Sequence, residues 1–598
     1  SGDLCPQTGS SQRMPPGAAG QIEHAAPRPD PVRMPCEPAA GAFDFGQIGR
    51  VGVNSYHMTP SVRASLRDLG ASQFDVLVIG GGITGAGVAR EASLRGLATA
   101  LVEAKDFGAG TSSKSSRLIH GGLRYLEQGR FHLVREALRE RAVLLRLAPH
   151  LVRQLPFILP VFAGDRVPRW KVLAGLTLYD LLAAGGNLGR HRTLGKRAML
   201  EAEPLLRERG LTGGAMYWDA QCDDARMTVA AVRAAAMHGA QVANHMRVTG
   251  LIRTVAGVVG AYTTDALTGE EGEVRAHLVV NATGPWCDRL RQLEDPGVAP
   301  LLRPTKGVHV MVRRDRLGNQ AAITLTSPID GRVMFVIPWG DFSYIGTTDT
   351  DDAEDPEQVR ATQDDIHYLL RSANAAFPNA HLGEEDVLSS WAGLRPLIRP
   401  PERLGASQIP REHVIQRGAG GMLTIAGGKL TTFRAMAEEL VDQVVEILHD
   451  LDGRPRPPRP PSDREPLPGG EAAAVEPLGT PGTELGLFGE TVEHLLRTYG
   501  TESAAILNLV RERRELARPL IPGYPAIEAE VIHVARRELA QRVEDVLVRR
   551  IHPYYETRDH GVGSARRTAE LLGEEHGWDT ARIEEEATRY VEWCAREG

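Results

Sequence analysis

Phe74-Asp75-Val76-Leu77-Val78-Ile79 is a short, nearly continuous apolar run. That texture belongs to a strand buried on both faces of a parallel sheet. Gly80-Gly81-Gly82-Ile83-Thr84-Gly85-Ala86-Gly87 follows at once, and residues 86–95 then read as a helix with Ala89, Ala92 and Ser93 as small residues. Gly96 ends the helix, and Ala98-Thr99-Ala100-Leu101-Val102 is a second apolar strand closed by Glu103. The unit has the ~30 residues of a strand–helix–strand nucleotide-binding module.

The pattern then predicts an amphipathic helix over 133–147, a strand over 155–162, a helix over 227–238 and a strand starting at 241–244. Leu278-Val279-Val280 is a further buried strand, ended by Asn281-Ala282-Thr283-Gly284. Residues 305–349 alternate apolar and polar and predict a separate antiparallel sheet. Residues 423–426 return to the buried-strand texture, and Gly427-Gly428-Lys429-Leu430-Thr431-Thr432 leads into a helix through residue 448. After a proline-rich stretch at 451–470 only helical patterns remain, so residues 471–598 read as a separate helical domain.

The spacing at Gly80, Gly82 and Gly85 gives each glycine a distinct role. The first makes a tight turn, the second lets a pyrophosphate approach closely, and the third lets helix and strand pack closely. The helix start offers unpaired N–H groups and partial positive charge. Glu103 is placed to accept hydrogen bonds from ribose hydroxyls and disfavours a 2′-phosphate. This stretch does not decide between FAD and NAD. Thr111, Ser112 and Ser116 lie in a hydroxyl-rich loop suited to a cofactor's phosphate or ribityl chain. His120, Gly121 and Gly122 suggest backbone close to a flat ligand. Ala282, Thr283 and Gly284 close one strand where ligands bind, and Gly428, Thr431 and Thr432 open a second helix beside it.

Composition excludes some functions. With 24% charged and 42% hydrophobic residues and a net charge of −7, the 598-residue chain is an ordinary globular protein with no call for nucleic acid. No stretch reaches the ~18 apolar residues of a transmembrane helix. The five cysteines (Cys5, Cys36, Cys222, Cys287, Cys594) form no metal spacing and read as free thiols. No metal site is expected; Asp349-Thr350-Asp351-Asp352 starts like a calcium loop but lacks the glycine at its sixth position. Residues 1–70 read as an extension, its first 57 residues disordered, with Met58 a candidate start. Residues 167–182 are apolar nearly all round, carry Trp170 and Tyr179 and are flanked by Arg and Lys. Two readings stand: a core helix, or one lying in a membrane interface.

Taken together, the glycine run, Thr111-Ser112-Ser113, His120-Gly121-Gly122-Leu123-Arg124-Tyr125, Asp223-Asp224-Ala225-Arg226, Asn281 to Trp286, Lys306-Gly307-Val308-His309, Gly346-Thr347-Thr348-Asp349, Gly393-Leu394-Arg395-Pro396 and Gly427 to Thr432 resemble the FAD-dependent, quinone-linked glycerol-3-phosphate dehydrogenases of bacteria. The resemblance runs from about residue 72 to the C-terminus. It implies FAD, oxidation of glycerol 3-phosphate to dihydroxyacetone phosphate, and electron delivery to a membrane quinone. It implies an α/β (α+β) architecture: a Rossmann-like FAD part (71–147, 217–300, 401–450), a cap (148–216, 301–400), a linker (451–470) and the helical domain. Arg124, Tyr125, Arg395, Arg411 and Lys429 fall on substrate-binding positions, with a structural salt bridge the alternative for the arginines. His309 is the expected proton acceptor, with a satisfied strand histidine the alternative, and Arg395 and Lys429 could instead stabilise the developing alkoxide electrostatically. Val248 joins the cofactor contacts. The resemblance favours the interfacial reading of 167–182 and a peripheral, cytoplasmic location on the inner membrane face. It leaves a homodimer open, and an oxidase of the same fold as the alternative. Such oxidases carry an extra insertion in the cap, for which this chain has no room.

Overall fold

The structure is a computed structural model. It describes residues 63–183, 185–351, 355–400, 412–471, 482 and 484–597.

The first sheet has eight strands. At its centre Glu271–Asn281, Gln73–Ile79, Thr99–Val102 and Gln241–Ala243 run parallel in that order, with Leu423–Gly427 parallel on the other side of Glu271–Asn281. Central strands of this kind are apolar on both faces, as the sequence pattern requires. Val76, Leu77 and Val78 are fully buried. The helices Ile83–Leu94, Asp224–Met237 and Phe433–Asp452 share one core on one face of this sheet. The helix Leu66–Gly70 and the hairpin Met246–Thr254 with Gly257–Asp265 build a second core with the opposite faces of the strands. The register brings Ile79 beside both Val102 and Asn281, and Asn281 beside Thr424. The turns that follow the strands therefore open on one edge of the sheet.

The second sheet has ten strands and is mainly antiparallel. Near one edge Thr305–Arg313 is flanked by Phe342–Gly346 and Val387–Arg395. Its far side is built by Val152–Phe162, Leu211–Cys222 and Leu118–Ile119. The strand Leu211–Cys222 pairs along its whole length in this sheet, so the cap extends past residue 216 and takes in 118–119 as well. A boundary inside a strand was invisible to composition, because both halves of the strand are equally apolar.

The C-terminal helical domain packs closely on the other two parts. Leu507, Tyr555 and Tyr590 lie in the same apolar cluster as Phe157, Tyr179 and Trp391 of the cap. Buried charges join it to the nucleotide part: Arg226 to Glu538 at 2.7 Å, Arg233 to Glu502 at 2.6 Å, and Arg549 with Arg550 to Asp106. The proline-rich stretch is a strap rather than a free spacer. Arg90 donates to the carbonyls of Ser462 and Glu465, and the Leu467 N–H donates to the Leu147 carbonyl at 2.9 Å.

The helix Arg169–Leu182 lies at the surface. Trp170 is 70% exposed and Leu181 72%, while Leu176 and Tyr179 are buried. The helix is therefore half-buried, with one face in the core of the cap and the other at the surface. No described helix is long and apolar enough to cross a membrane.

Glu538 is buried between Arg226 and Arg233. Glu538→Ala leaves their charges short of a partner, and breaking such a pair costs about 3–5 kcal/mol. Its urea unfolding midpoint should fall accordingly at neutral pH. An unchanged midpoint would show that this network adds nothing to stability.

Candidate flavin and substrate site

Gly80, Ala282 and Gly428 each stand just past the carboxyl end of a parallel strand, the place where such sheets bind ligands. Gly80 has φ +107°, and a Cβ there would sit 2.7 Å from the Ala282 carbonyl oxygen. At Gly85 a Cβ would lie 1.9 Å from the Gly80 carbonyl oxygen. Turn and helix are thus wedged together, as the glycine spacing predicted. Gly82 caps the helix Ile83–Leu94 without any side-chain cap, and the Ile83 N–H donates to Ser112 Oγ at 2.9 Å. The Glu103 carboxylate spans the turn, accepting from the Gly81 N–H at 2.7 Å and the Lys105 N–H at 2.8 Å. Burial raises its pKa. Val248 is half-buried in the strand whose Met246 N–H donates to the Glu103 carbonyl. Beyond Ala282, Thr283 Oγ1 donates to Asn281 Oδ1 at 2.7 Å, and the space beside Gly284 is open.

The hydroxyl-rich loop ties the two sheets together. Thr111 Oγ1 donates to the Leu394 carbonyl at 2.6 Å, one residue before Arg395. Ser116 Oγ meets His309 Nε2 at 2.9 Å, and the Ser116 carbonyl accepts from the Tyr344 hydroxyl. The His120 N–H donates to Thr431 Oγ1 at 3.2 Å, so the second helix start is joined to the His120-Gly121-Gly122 turn. Thr432 caps the helix Phe433–Asp452 without a side-chain hydrogen bond. The place a side chain would take at Gly121 is filled by Tyr179 and Leu138. There, protein neighbours rather than a ligand face require glycine. The Gly121 N–H donates to Tyr179 Oη at 2.9 Å, and Tyr179 donates to Asp219, which Arg141 neutralises at 2.5 Å. Gly122 and Gly428 have φ of +79° and +85°.

Of the expected substrate cations, Arg124 opens the short helix Arg124–Glu127 and Arg411 lies outside the described residues. Lys429 Nζ stands 3.8 Å from the Tyr125 ring centroid. Arg395 donates to Thr347 Oγ1 at 2.7 Å and pairs with Asp349 at 3.1 Å. The salt-bridge alternative is therefore realised for Arg395 in this state. His309 is buried and stacks on Trp391 at 5.0 Å and 11°. A Cβ at Gly346 would fall 2.0 Å from its Cδ2. Gly346 and Thr347 are adjacent, so His309 and Arg395 rest on the same two residues. Burial, then the charges of Arg395 and Arg117, hold the His309 pKa down to about 3, so the ring is neutral.

Sequence reasoning missed Gly81, Thr347, Asp349, Trp391 and Arg117 as functional positions. Gly81 could have been found from its neighbours, since a Cβ there would meet Phe107 at 2.5 Å. Trp391 precedes Gly393-Leu394-Arg395 in the same strand, a signal that was available. Nothing near Arg117 in sequence reveals that aromatic rings gather round it.

The residues present fit a flavin dinucleotide. The glycine turn, the two helix starts and the acid at the second strand suit its phosphates and ribose. Trp286 Nε1 and His309 Nδ1 are among the buried nitrogens without a hydrogen-bond partner among the described residues. Buried polar groups of this kind are normally satisfied, and Trp286 lines a cavity with Thr111 and Gly393.

Residues 75–434 match the FAD dependent oxidoreductase family, and residues 461–583 match the C-terminal domain of alpha-glycerophosphate oxidase. Glycerol-3-phosphate dehydrogenase 2 of Mycobacterium tuberculosis is 40% identical over 542 residues, which cover 89% of this chain and 90% of that protein. The mitochondrial glycerol-3-phosphate dehydrogenase of Rattus norvegicus is 37% identical, covering 89% of this chain and 75% of that protein. The solved structure of the glycerol-3-phosphate dehydrogenase from Bacillus halodurans, complexed with FAD, is 32% identical with a TM-score of 0.71, covering 89% of this chain and 96% of that one. This chain belongs to the FAD-dependent glycerol-3-phosphate dehydrogenase family.

Proposed function

We propose that this protein oxidises sn-glycerol 3-phosphate to dihydroxyacetone phosphate and passes the electrons to a membrane quinone from the inner face of the cell membrane. The observation that carries the reading is the seating of His309 and Arg395 on Gly346 and Thr347: one candidate base and one candidate phosphate clamp, side by side. The family relationship adds the substrate class.

FAD, when bound, supplies the acceptor for the hydride leaving C2. The chain must hold the phosphate, take the hydroxyl proton and exclude water. The phosphate is a dianion, and Arg395 and Lys429, with Arg124 and Arg411, supply the cations; arginine's fork matches its oxygens. Arg395 exchanges its Asp349 contact for the stronger dianion. His309 Nδ1 has no partner among the described residues, so we take it as the atom that accepts the hydroxyl proton, with Nε2 held by Ser116 Oγ. In the resting site burial, and after it the two arginines, make His309 a weak base. A bound dianion offsets those cations and raises its basicity, so proton acceptance is coupled to the phosphate. Trp391 and Tyr344, both buried, keep water from the ring. The start of the helix Phe433–Asp452 offers partial positive charge at Thr431 and Thr432.

The electron acceptor is read from the surface helix Arg169–Leu182. Exposed Trp170 and Leu181 beside Lys171 and Arg166 suit a helix lying in the head-group region of a bilayer. A second reading, an oxidase that returns electrons to oxygen and makes peroxide, is favoured by one observation, the match of residues 461–583 to an oxidase C-terminal domain. The exposed apolar helix favours the quinone.

Arg395→Ala should lower kcat/KM for glycerol 3-phosphate by ten- to a hundredfold or more, from loss of a charge-assisted contact of about 1.5–3 kcal/mol. Its FAD content should hold. An unchanged preference for glycerol 3-phosphate over glycerol would remove Arg395 from the phosphate site.

Trp170→Glu with Leu181→Glu should release the protein from anionic vesicles and abolish reduction of a long-tailed quinone there, while reduction of a soluble dye survives. Leu176 is left intact because it is buried. A double variant that still pellets with vesicles would place the membrane contact elsewhere.

A further inference from the structure

We propose that Tyr555, from the C-terminal helical region, and Arg117 are positioning residues that hold Trp391 flat against His309, making that region a working wall of the site. The proposal rests on the reading of His309 as proton acceptor.

Arg117 is buried and stands in the left-handed region at φ +50°, a conformation that a non-glycine residue keeps only when its surroundings impose it. The surroundings are aromatic. Its guanidinium carbon lies 4.5 Å from the Trp339 ring centroid, 5.1 Å from Tyr555 and 5.3 Å from Trp391. Asp224 balances the charge from 3.8 Å, too far for a direct hydrogen bond, and one terminal nitrogen of the guanidinium has no partner. The rings therefore do much of the holding. Trp391 has its face on His309 and meets Tyr555 edge to face at 5.3 Å and 73°. Tyr555 and Arg117 thus both stand against the ring that His309 stacks on. Arg117 also follows Ser116, whose hydroxyl holds His309 Nε2. One cation braces both contacts of the imidazole.

The short helix Pro553–Glu556 is fastened to the clamp at three points. His552 Nε2 meets Asp223 at 2.6 Å, the Tyr555 carbonyl accepts from Ser389 Oγ at 2.7 Å, and Glu556 accepts from Trp339 Nε1 at 2.9 Å. Ser389 is in the strand that carries Trp391, and Trp339 is one of the rings round Arg117. Asp223 caps the helix whose first residue is Asp224. Each anchor is a direct neighbour of the clamp. A surface that merely covered the cap would have no reason to place all three anchors there.

The test compares the flavin-loaded wild type with Tyr555→Leu and Tyr555→Phe. Three quantities are read: the anaerobic rate of flavin reduction by glycerol 3-phosphate, KM, and labelling of His309 by diethyl pyrocarbonate followed by peptide mass. Tyr555→Leu should reduce flavin at least tenfold more slowly, with KM changed less than threefold and FAD content kept. His309 labelling should rise severalfold. Tyr555→Phe, which keeps the ring, should restore all three. A wild type that glycerol 3-phosphate does not reduce would overturn the functional reading and leave the clamp to be judged on His309 labelling alone. A reducible wild type with Tyr555→Leu equally fast overturns the clamp. If Tyr555→Leu yields no soluble flavoprotein, Arg117→Lys decides: it keeps the charge and loses the flat guanidinium, so slower reduction at unchanged KM supports the proposal, and a wild-type rate overturns it.

Discussion

Everything in the site hangs on how closely the turn after the first strand approaches its neighbours. The Gly80 backbone is squeezed between Gly85 on the helix and Ala282 past the adjacent strand, with room for no side chain at either glycine. That squeeze fixes where the helix Ile83–Leu94 begins, and with it the direction of the unpaired N–H groups. It also sets the parallel register of three strands, so that Glu103, Ala282 and Gly428 stand at one edge. Glu103 then reaches back over the turn to Gly81. A dinucleotide site follows from the packing of glycines against backbone, before any ligand is considered.

The second sheet supplies what the first lacks. A parallel edge with helix starts holds phosphates well, yet it offers no base and no clamp for a second anion. In the proposed function those come from Thr305–Arg313 and Val387–Arg395, which pair in register from Thr305 to Met311 and place His309 opposite Trp391. Thr111 and Ser116 join the sheets through single hydrogen bonds to Leu394 and His309. The cost is a buried, neutral imidazole near two cations. The surface helix Arg169–Leu182 is wired into the same place, since Tyr179 holds both Asp219 and the Gly121 N–H.

The sequence made the parallel core legible because such strands are apolar on both faces and end in glycine turns. Gly80, Gly82, Gly85 and Glu103 were placed from that pattern alone. The position of the cap boundary was not legible, because Leu211–Cys222 carries the same texture on either side of residue 216. The C-terminal helical domain was legible from its periodicity, which shows an apolar face without saying what covers it; part of the cover is Trp391, whose ring meets Tyr555. Arg395 was found as a cation, whereas its pairing with Asp349 depends on a contact between strand and loop 46 residues apart. Arg117 was passed over because its three aromatic neighbours come from Trp339, Trp391 and Tyr555, far from one another in the chain.

The central claim is that glycerol 3-phosphate delivers two electrons to bound FAD and that a quinone takes them away. Anaerobic addition of glycerol 3-phosphate to the purified flavoprotein, followed by separate additions of oxygen and of a quinone, measures both halves. The account predicts rapid bleaching of the flavin, slow return of colour with oxygen and fast return with the quinone. A flavin that stays yellow with glycerol 3-phosphate, or one that recolours as fast with oxygen as with the quinone, would contradict it.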